Sequence, residues 1–321
     1  VVQPMLATLV DDPFSRPEWV FETKWDGFRS LCFVRDGRSR FVSRNQIDMT
    51  PQYPELAEVA KRIEAPEAIL DGEIVALDKD GMPRFQLLQP RVGRKSGIEA
   101  LRGQGHIVYY VFDLLYLDGY DLMPCPLVER KKALEQILRP AGFIKLSEHI
   151  VGDGEAFFEQ IDKFHLEGMI AKRAASPYVQ KRSRDWLKVK TVVRSEVVVG
   201  GYTEPRGSRS HFGALVVGLY HEGELHYVAH VGGGFNERAL GQMFKLMQPL
   251  KTKKSPFVDA PKTNEPVQWL KPKLVAEVKF SEWTADRRLR HPVFIGLRED
   301  KKPGDCRFEF GGKTQEIIRR K

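Results

Sequence analysis

Lys24 and Asp26, two residues apart in the run ETKWDGFR (22–29), are the first side chains in this 321-residue sequence whose types and spacing suggest chemistry. The flanking runs EWVFET and SLCFV are strand-like. In an extended chain side chains alternate between faces, so Lys24 and Asp26 share one side and Trp25 takes the other. Gly27 frees the backbone and Arg29 follows, which offers a nucleophilic amine beside an anion clamp. The competing reading is the edge of a surface hairpin carrying a salt-bridged lysine and aspartate. Charge recurs inside other apolar strand patterns: Asp71 and Glu73 in LDGEIVAL, Glu167 ahead of GMIAK, and Lys188 and Lys190 at i and i+2 in WLKVK. Two acids flanking a glycine in an apolar strand are costly unless they meet a cation or a ligand, with a structural salt bridge as the alternative.

KWDGFR resembles motif I (KxDGxR) of the covalent nucleotidyltransferases, which comprise the ATP-dependent DNA ligases, RNA ligases and mRNA capping enzymes. With the opening PMLATL (4–9) and the closing RLRHPVFIGLREDK (288–301), nearly the whole chain looks most like the ligase module of bacterial LigD-type end-joining proteins. One KxDG is a weak signal, whereas a series of such clusters in the family's order is a strong one.

The resemblance implies a role for each cluster. Lys24, with Asp26 beside it, attacks the α-phosphorus of ATP. Lys188 and Lys190 contact the α-phosphate and, as positive neighbours, disfavour the ammonium form of Lys24. Arg44 in SRN (43–45) matches motif Ia and grips a 5′-phosphate at a nick, a task that suits a planar fork. Glu73 reaches the ribose and, with Glu167 of EGMIAKR, a divalent metal. Oxygen ligands with open water positions suit Mg²⁺, with Mn²⁺ as a substitute. Phe112 in VFDLLYLDG stacks on the purine while Glu22 helps to recognise it, Arg29 is a further nucleotide contact, and Lys172 touches phosphate. Arg298, Asp300 and Lys301 match motif VI, which orients the β- and γ-phosphates and requires domain closure. Taken alone, several of these read otherwise: Lys188 and Lys190 as a solvated strand face, Arg44 as an arginine at a strand end, Phe112 as a core aromatic, REDK as a charged turn. The basic run RGSRS places Arg206 and Arg209 against a DNA backbone, or in an idle loop. HVGGGF (230–235) lacks the lysine and spacing of a phosphate loop and reads as a turn before a helix.

The net charge of +8 is unevenly spread. Residues 1–194 carry 29 Lys and Arg against 28 Asp and Glu, and residues 195–321 carry 22 against 15, so the excess lies in the last third and points to a polyanionic partner. Three separated cysteines without CxxC spacing fit a reducing cytoplasm and argue against a disulfide framework or structural zinc. No apolar stretch approaches eighteen residues and no basic leader opens the sequence, so a soluble protein with no membrane is expected; the resemblance implies a cytoplasmic place in the bacterial nucleoid. The opening Val1 is compatible with an excerpt of a longer protein.

These elements give an α+β fold. Strands are expected at 41–44, 69–77, 106–117, 168–172 and 186–190, with helices at 54–64, 127–138 and 154–165, and irregular alternation implies antiparallel sheets. After Val193 come β-branched runs and one helix at 236–247, the pattern of a small OB-type barrel, with 251–266 as an exposed loop. The expected domains are a nucleotidyltransferase domain at 1–194 and an OB-fold domain at 195–321. The function that the resemblance implies is a monomeric ATP-dependent DNA ligase acting on nicked or broken duplex in end joining. Ku and fused or separate polymerase and nuclease domains are its expected partners. The alternatives are a capping guanylyltransferase or RNA ligase, or a non-catalytic end-binding module. The NAD-dependent ligases are disfavoured, since about twenty residues precede Lys24 and three cysteines cannot form a four-cysteine zinc module.

Overall fold

The computed structural model describes residues 2–94, 96–205, 210–261, 263, 265–309 and 313–319. It divides into two compact units, one built from Val1–Thr191 together with the C-terminal helix Thr314–Arg319, the other from Val192–Glu309.

In the first unit, one sheet has the order Leu6–Leu9, Arg182–Lys190, Gly168–Arg173, Arg16–Thr23, His149–Gly152, and is antiparallel except for its parallel first pair. The second has the order Arg38–Ser43, Phe28–Arg35, Glu67–Leu77, His106–Leu117, Tyr120–Asp121, with Ile144–Leu146 joined in parallel to His106–Leu117. The first sheet is two-faced because its sequences alternate. Trp19, Phe21, Met169, Ala171, Leu187 and Val189 form one buried cluster, covered by Ile161 and Phe157 of helix Gly154–Lys163 and by Ile317 and Ile318 of the C-terminal helix. Each such side chain stabilises the fold by roughly 1.5–3 kcal/mol on burial. The intervening residues, Glu22, Lys172, Lys188 and Lys190, therefore fall on the other face.

In the second unit, the strands run in the order Glu224–Val231, Leu215–His221, Arg194–Thr203, Val267–Lys279, Lys251–Thr252, with Val293–Leu297 also beside Val267–Lys279. A bridge between Gly233 and Val293, in which Phe294 N donates to Gly233 O at 3.0 Å, brings the far strands together into a partly closed barrel of the OB type. Gly234 has φ +90°, and a Cβ there would lie 2.2 Å from Phe294 O, so HVGGGF is a turn that lets the barrel close. Helix Glu237–Met247 follows, its first turn capped by Asn236 Oδ1, which accepts from Ala239 N.

Four expectations are corrected. The C-terminal segment does not belong wholly to the barrel: Thr314 Oγ1 donates to Asp12 O and accepts from Asp12 N, which ties the last helix to the first unit. The barrel unit begins at Val192 rather than after Arg194, since Arg194 already pairs with Lys279 in its sheet. Residues 54–64 form separate 3₁₀ turns, Pro54–Leu56 and Val59–Arg62, rather than one helix. No side chain caps either turn, and burial of Leu56 and Val59 fixes the local path. The expected exposed loop at 251–266 instead holds the short strand Lys251–Thr252 and buries Phe257, whose ring packs where Cβ atoms at Gly200 and Gly218 would stand.

Candidate active site

The chain leaves the first sheet at Thr23 and enters the second at Phe28, so Lys24, Trp25, Asp26 and Gly27 form the crossover between them. Three contacts fix it. Lys24 N donates to Gly168 O at 2.9 Å, Trp25 stacks on Tyr110 at 3.6 Å between centroids, and Trp25 Nε1 donates to Ser147 Oγ at 3.0 Å. Gly27 is required by close approach rather than by backbone freedom, since a Cβ there would lie 2.1 Å from Ile74 O. Trp25 thus diverges from Lys24 as expected, and Asp26 is half-buried in the crossover.

The register of the first sheet gathers the predicted lysines. Glu22 lies opposite Ile170, which lies opposite Lys188; Val20, Lys172 and Trp186 form the next row, and Gly168 is opposite Lys190. Cross-strand partners share a face, so Glu22, Lys172, Lys188 and Lys190 line one surface beside Lys24. Gly168, with φ +151° and a would-be Cβ 2.1 Å from Val189 O, keeps that surface open between Lys24 and Lys190. Lys190 stands two strands from Lys24, about 10 Å in backbone spacing. The Lys24 amine forms an ion pair with a carboxylate, that of Glu167. The expected cationic surroundings are therefore corrected in part: Lys188 and Lys190 share the face, but an acid holds the amine.

The second sheet supplies the facing wall. Arg29 pairs with Glu73 in register and Leu31 with Asp71, which puts Arg29, Asp71 and Glu73 on one face. Arg29 forms a two-pronged ion pair with Asp71, Nε to Oδ1 at 2.6 Å and Nη2 to Oδ2 at 2.5 Å. Tyr178 Oη donates to Asp71 Oδ2 at 2.6 Å and accepts from Met5 N at 2.9 Å. The structural salt bridge weighed for the DGE acids is thus real for Asp71. Glu73 abuts the crossover, its Cγ 3.1 Å from where a Gly27 Cβ would stand, so the DGE and EGM acids flank motif I from two sides.

Phe112 is buried with Met5, Leu31, Leu115, Tyr178 and Trp186. Lys172 Nζ lies 4.3 Å from its ring centroid and 4.2 Å from that of Trp186, and the Arg29 guanidinium lies 4.7 Å from the Phe112 centroid. The phosphate contact expected of Lys172 does not suit this place: the side chain is 2% exposed and its ammonium bonds Glu22 Oε2 at 2.9 Å. Burial pushes the Lys172 ammonium down to about 8, against the opposing pull of Glu22. Burial also works against ionisation of Glu22, yet Lys131 and Lys172 together hold its carboxyl below the ordinary value.

Arg44 is half-buried in the turn after Arg38–Ser43, a turn closed by Gln46 N donating to Ser43 O. Arg298, Asp300 and Lys301 lie in the barrel unit. Arg298 Nε and Nη2 bond Asp300 at 2.8 Å each, Arg298 Nη1 bonds Glu277 at 2.9 Å, and Lys301 pairs with Glu196 at 3.0 Å. Arg206 and Arg209 lie outside the described residues.

Sequence reasoning missed Lys131, Tyr178 and the Trp25–Tyr110–Ser147 contact. Lys131 did carry a signal, as a lysine on the apolar seam of helix Leu127–Ile137. Tyr178, in the connection before Arg182–Lys190, carried none. Its neighbour network includes a fully buried pair, Asp113 and Arg130, joined by two 2.8 Å bonds.

A family model described as the ATP dependent DNA ligase domain matches residues 4–190, and one described as the ATP dependent DNA ligase C terminal region matches residues 208–301. The multifunctional non-homologous end joining protein LigD of Pseudomonas aeruginosa is 39% identical over 307 residues, 94% of this chain and 36% of that protein. The corresponding protein of Mycobacterium tuberculosis is 39% identical over 308 residues, 94% of this chain and 39% of its own length. This chain therefore spans less than two fifths of the length of these relatives. The solved structure of mycobacterial DNA ligase D complexed with ATP and MES aligns with a TM-score of 0.68 at 35% identity, over 95% of this chain and 97% of that one.

Proposed function

Since the chain belongs to the ATP-dependent DNA ligase family, we propose that it seals nicked or broken duplex DNA through an adenylate carried on Lys24. The observation that carries this reading is the register that places Glu22, Lys172, Lys188 and Lys190 on the sheet face beside the crossover lysine. In the first step the Lys24 nitrogen bonds the α-phosphorus of ATP and the bond to pyrophosphate breaks. AMP then passes to a DNA 5′-phosphate, and a 3′-hydroxyl displaces it to close the strand. Lys188 and Lys190 spread the charge that develops on the α-phosphate. Arg29, fixed by Asp71 and Tyr178, orients the nucleotide, and Arg44 grips the DNA 5′-phosphate. Arg298 and Lys301 serve the β- and γ-phosphates.

Glu73 and Glu167 fit a divalent cation. Glu167 is a largely buried carboxylate that already holds one positive group, the Lys24 ammonium, and Glu73 flanks the same crossover. Among the described residues no group of three or more His, Cys, Asp or Glu forms a cage. Two acids suit Mg²⁺ or Mn²⁺, which keep water and substrate oxygens as ligands. When bound, the ion offsets phosphate charge.

The relatives named for non-homologous end joining support a role in double-strand break repair. The partners proposed with that role, from the resemblance alone, are Ku and fused or separate polymerase and nuclease domains. Among the described residues no helix is long and apolar enough to cross a membrane, and a place in the bacterial nucleoid follows from the DNA substrate. Intact mass after incubation with Mg²⁺ and ATP or GTP tests the reading. One AMP added to the wild type, none to Lys24→Ala, and loss of nick sealing in that variant are expected. Guanylylation points instead to a capping enzyme, and DNA binding without any adduct to an end-binding module.

A further inference from the structure

Helix Leu127–Ile137 carries a lysine where its apolar seam calls for a core residue. Lys131 lies four residues after Leu127 and three before Leu134, and all three are buried. A buried ammonium is unfavourable unless it is paired. Its partner is Glu22, itself 1% exposed: Lys131 Nζ stands 2.8 Å from Oε1 while Lys172 Nζ holds Oε2. The same Lys172 ammonium covers the Phe112 ring, so Glu22 and Phe112 meet across one ammonium. Two cations on one carboxylate keep it ionised, and an ionised carboxylate only accepts hydrogen bonds. Lys131 Nζ takes up one lone-pair direction of Oε1, and because a carboxylate oxygen accepts more than one hydrogen bond, acceptor capacity remains on it.

We infer that Lys131 is a specificity-determining positioning residue, which holds Glu22 from the helix as a fixed acceptor so that the site takes a 6-aminopurine triphosphate and rejects a 6-oxopurine one. The inference rests on the proposed function, together with the roles that the family resemblance implies for Phe112, stacked on the purine, and for Glu22, which helps to recognise it. An amino group at that purine edge donates to the carboxylate. A carbonyl oxygen there opposes a second acceptor, and a buried mismatch of this kind discriminates strongly. Without Lys131, one cation remains and the carboxylate is free to turn. The amino contact then weakens and the rejection of the carbonyl relaxes.

The test follows lysyl-nucleotide formation from ATP and from GTP, at varied nucleotide concentration with Mg²⁺, in wild type, Lys131→Met and Lys131→Arg. Lys131→Met is expected to raise the half-saturating ATP concentration about tenfold. Its saturating rate should stay within about twofold of wild type, with a narrowed preference for ATP over GTP, because the helix lysine touches no reacting atom. Lys131→Arg, which restores the cation, is expected to recover both. If Lys131→Met fails to fold, Glu22→Gln is the second variant, with the same loss of preference expected. Unchanged half-saturation and preference overturn the inference while wild-type adenylation leaves the proposed function standing. An equal fall in saturating rate for both nucleotides, without rescue by arginine, makes Lys131 purely structural and also overturns it. No adduct on the wild type overturns the proposed function, and this inference with it.

Discussion

Lys24 and Glu167 are ion-paired across the opening between the crossover and the strand Gly168–Arg173, so the amine expected to attack phosphorus and an acid expected to hold metal occupy each other. As an ammonium, Lys24 has no lone pair to offer, and the pair must separate before the first step.

Glu167→Gln keeps the shape and removes the charge on which this arrangement depends. Lysyl-AMP formation in the variant is expected to fall by about 10²–10³-fold, the range for losing one preorganised electrostatic group. Single-turnover adenylation checks it, and a variant as fast as wild type would remove Glu167 from the site.

Trp25 fastens the crossover to the second sheet through its stack on Tyr110 and its bond to Ser147. Trp25→Ala should lose about 0.5–1.5 kcal/mol of aromatic pairing beyond the lost burial. Because the neighbouring residue is the nucleophile, the saturating adenylation rate should drop more than ATP affinity does. Trp25→Tyr, which keeps a ring, should recover most of the rate. Equal behaviour of the two variants contradicts the fastening role.

Asp113 is a scaffold group, since its buried carboxylate accepts two bonds from Arg130 and one from the Leu114 amide. Asp113→Ala strands a buried guanidinium and should cost about 3–5 kcal/mol in a urea or thermal unfolding experiment. A loss below 1 kcal/mol, by the same measurement, means that water reaches Arg130 freely.

Lys172 gives the pH prediction. Its folded-state value of about 8 lies below the ordinary 10.5, so between these limits the unfolded chain binds more protons at this site than the folded one. Its contribution to stability therefore rises with pH across that window and is least favourable below pH 8. The stability of wild type relative to Lys172→Met should increase by on the order of 3 kcal/mol from pH 8 to 10.5. Denaturation of both proteins at matched pH values measures the difference, and a flat or falling difference contradicts the assignment.

Gly27→Ala places a methyl group 2.1 Å from the Ile74 carbonyl oxygen, backbone against which nothing flexible can yield. The expected cost is about 1–3 kcal/mol, together with loss of adenylation as the crossover is pushed off the second sheet. Full activity in this variant shows that the crossover can relax.

The sequence by itself determined the family, the two-part α+β architecture and the order of the charged clusters, because each cluster is local: alternation decides which face a strand residue takes, and a lysine two residues from an acid is visible without any fold. The strand 106–117 and the helix at 127–138 were legible for the same reason, within a residue at one end. What only the tertiary structure decided depends on contacts distant in sequence. Glu167 lies 143 residues from the lysine it holds, and Tyr178 lies 107 residues from Asp71. The helix that supplies Lys131 packs against the strand His106–Leu117 of the second sheet, and from there Lys131 reaches Glu22 of the first. The C-terminal helix returns to the first unit because its apolar residues Ile317 and Ile318 find that core. Periodicity fixes the face on which a side chain lies, and only the packing of faces fixes which charges meet there.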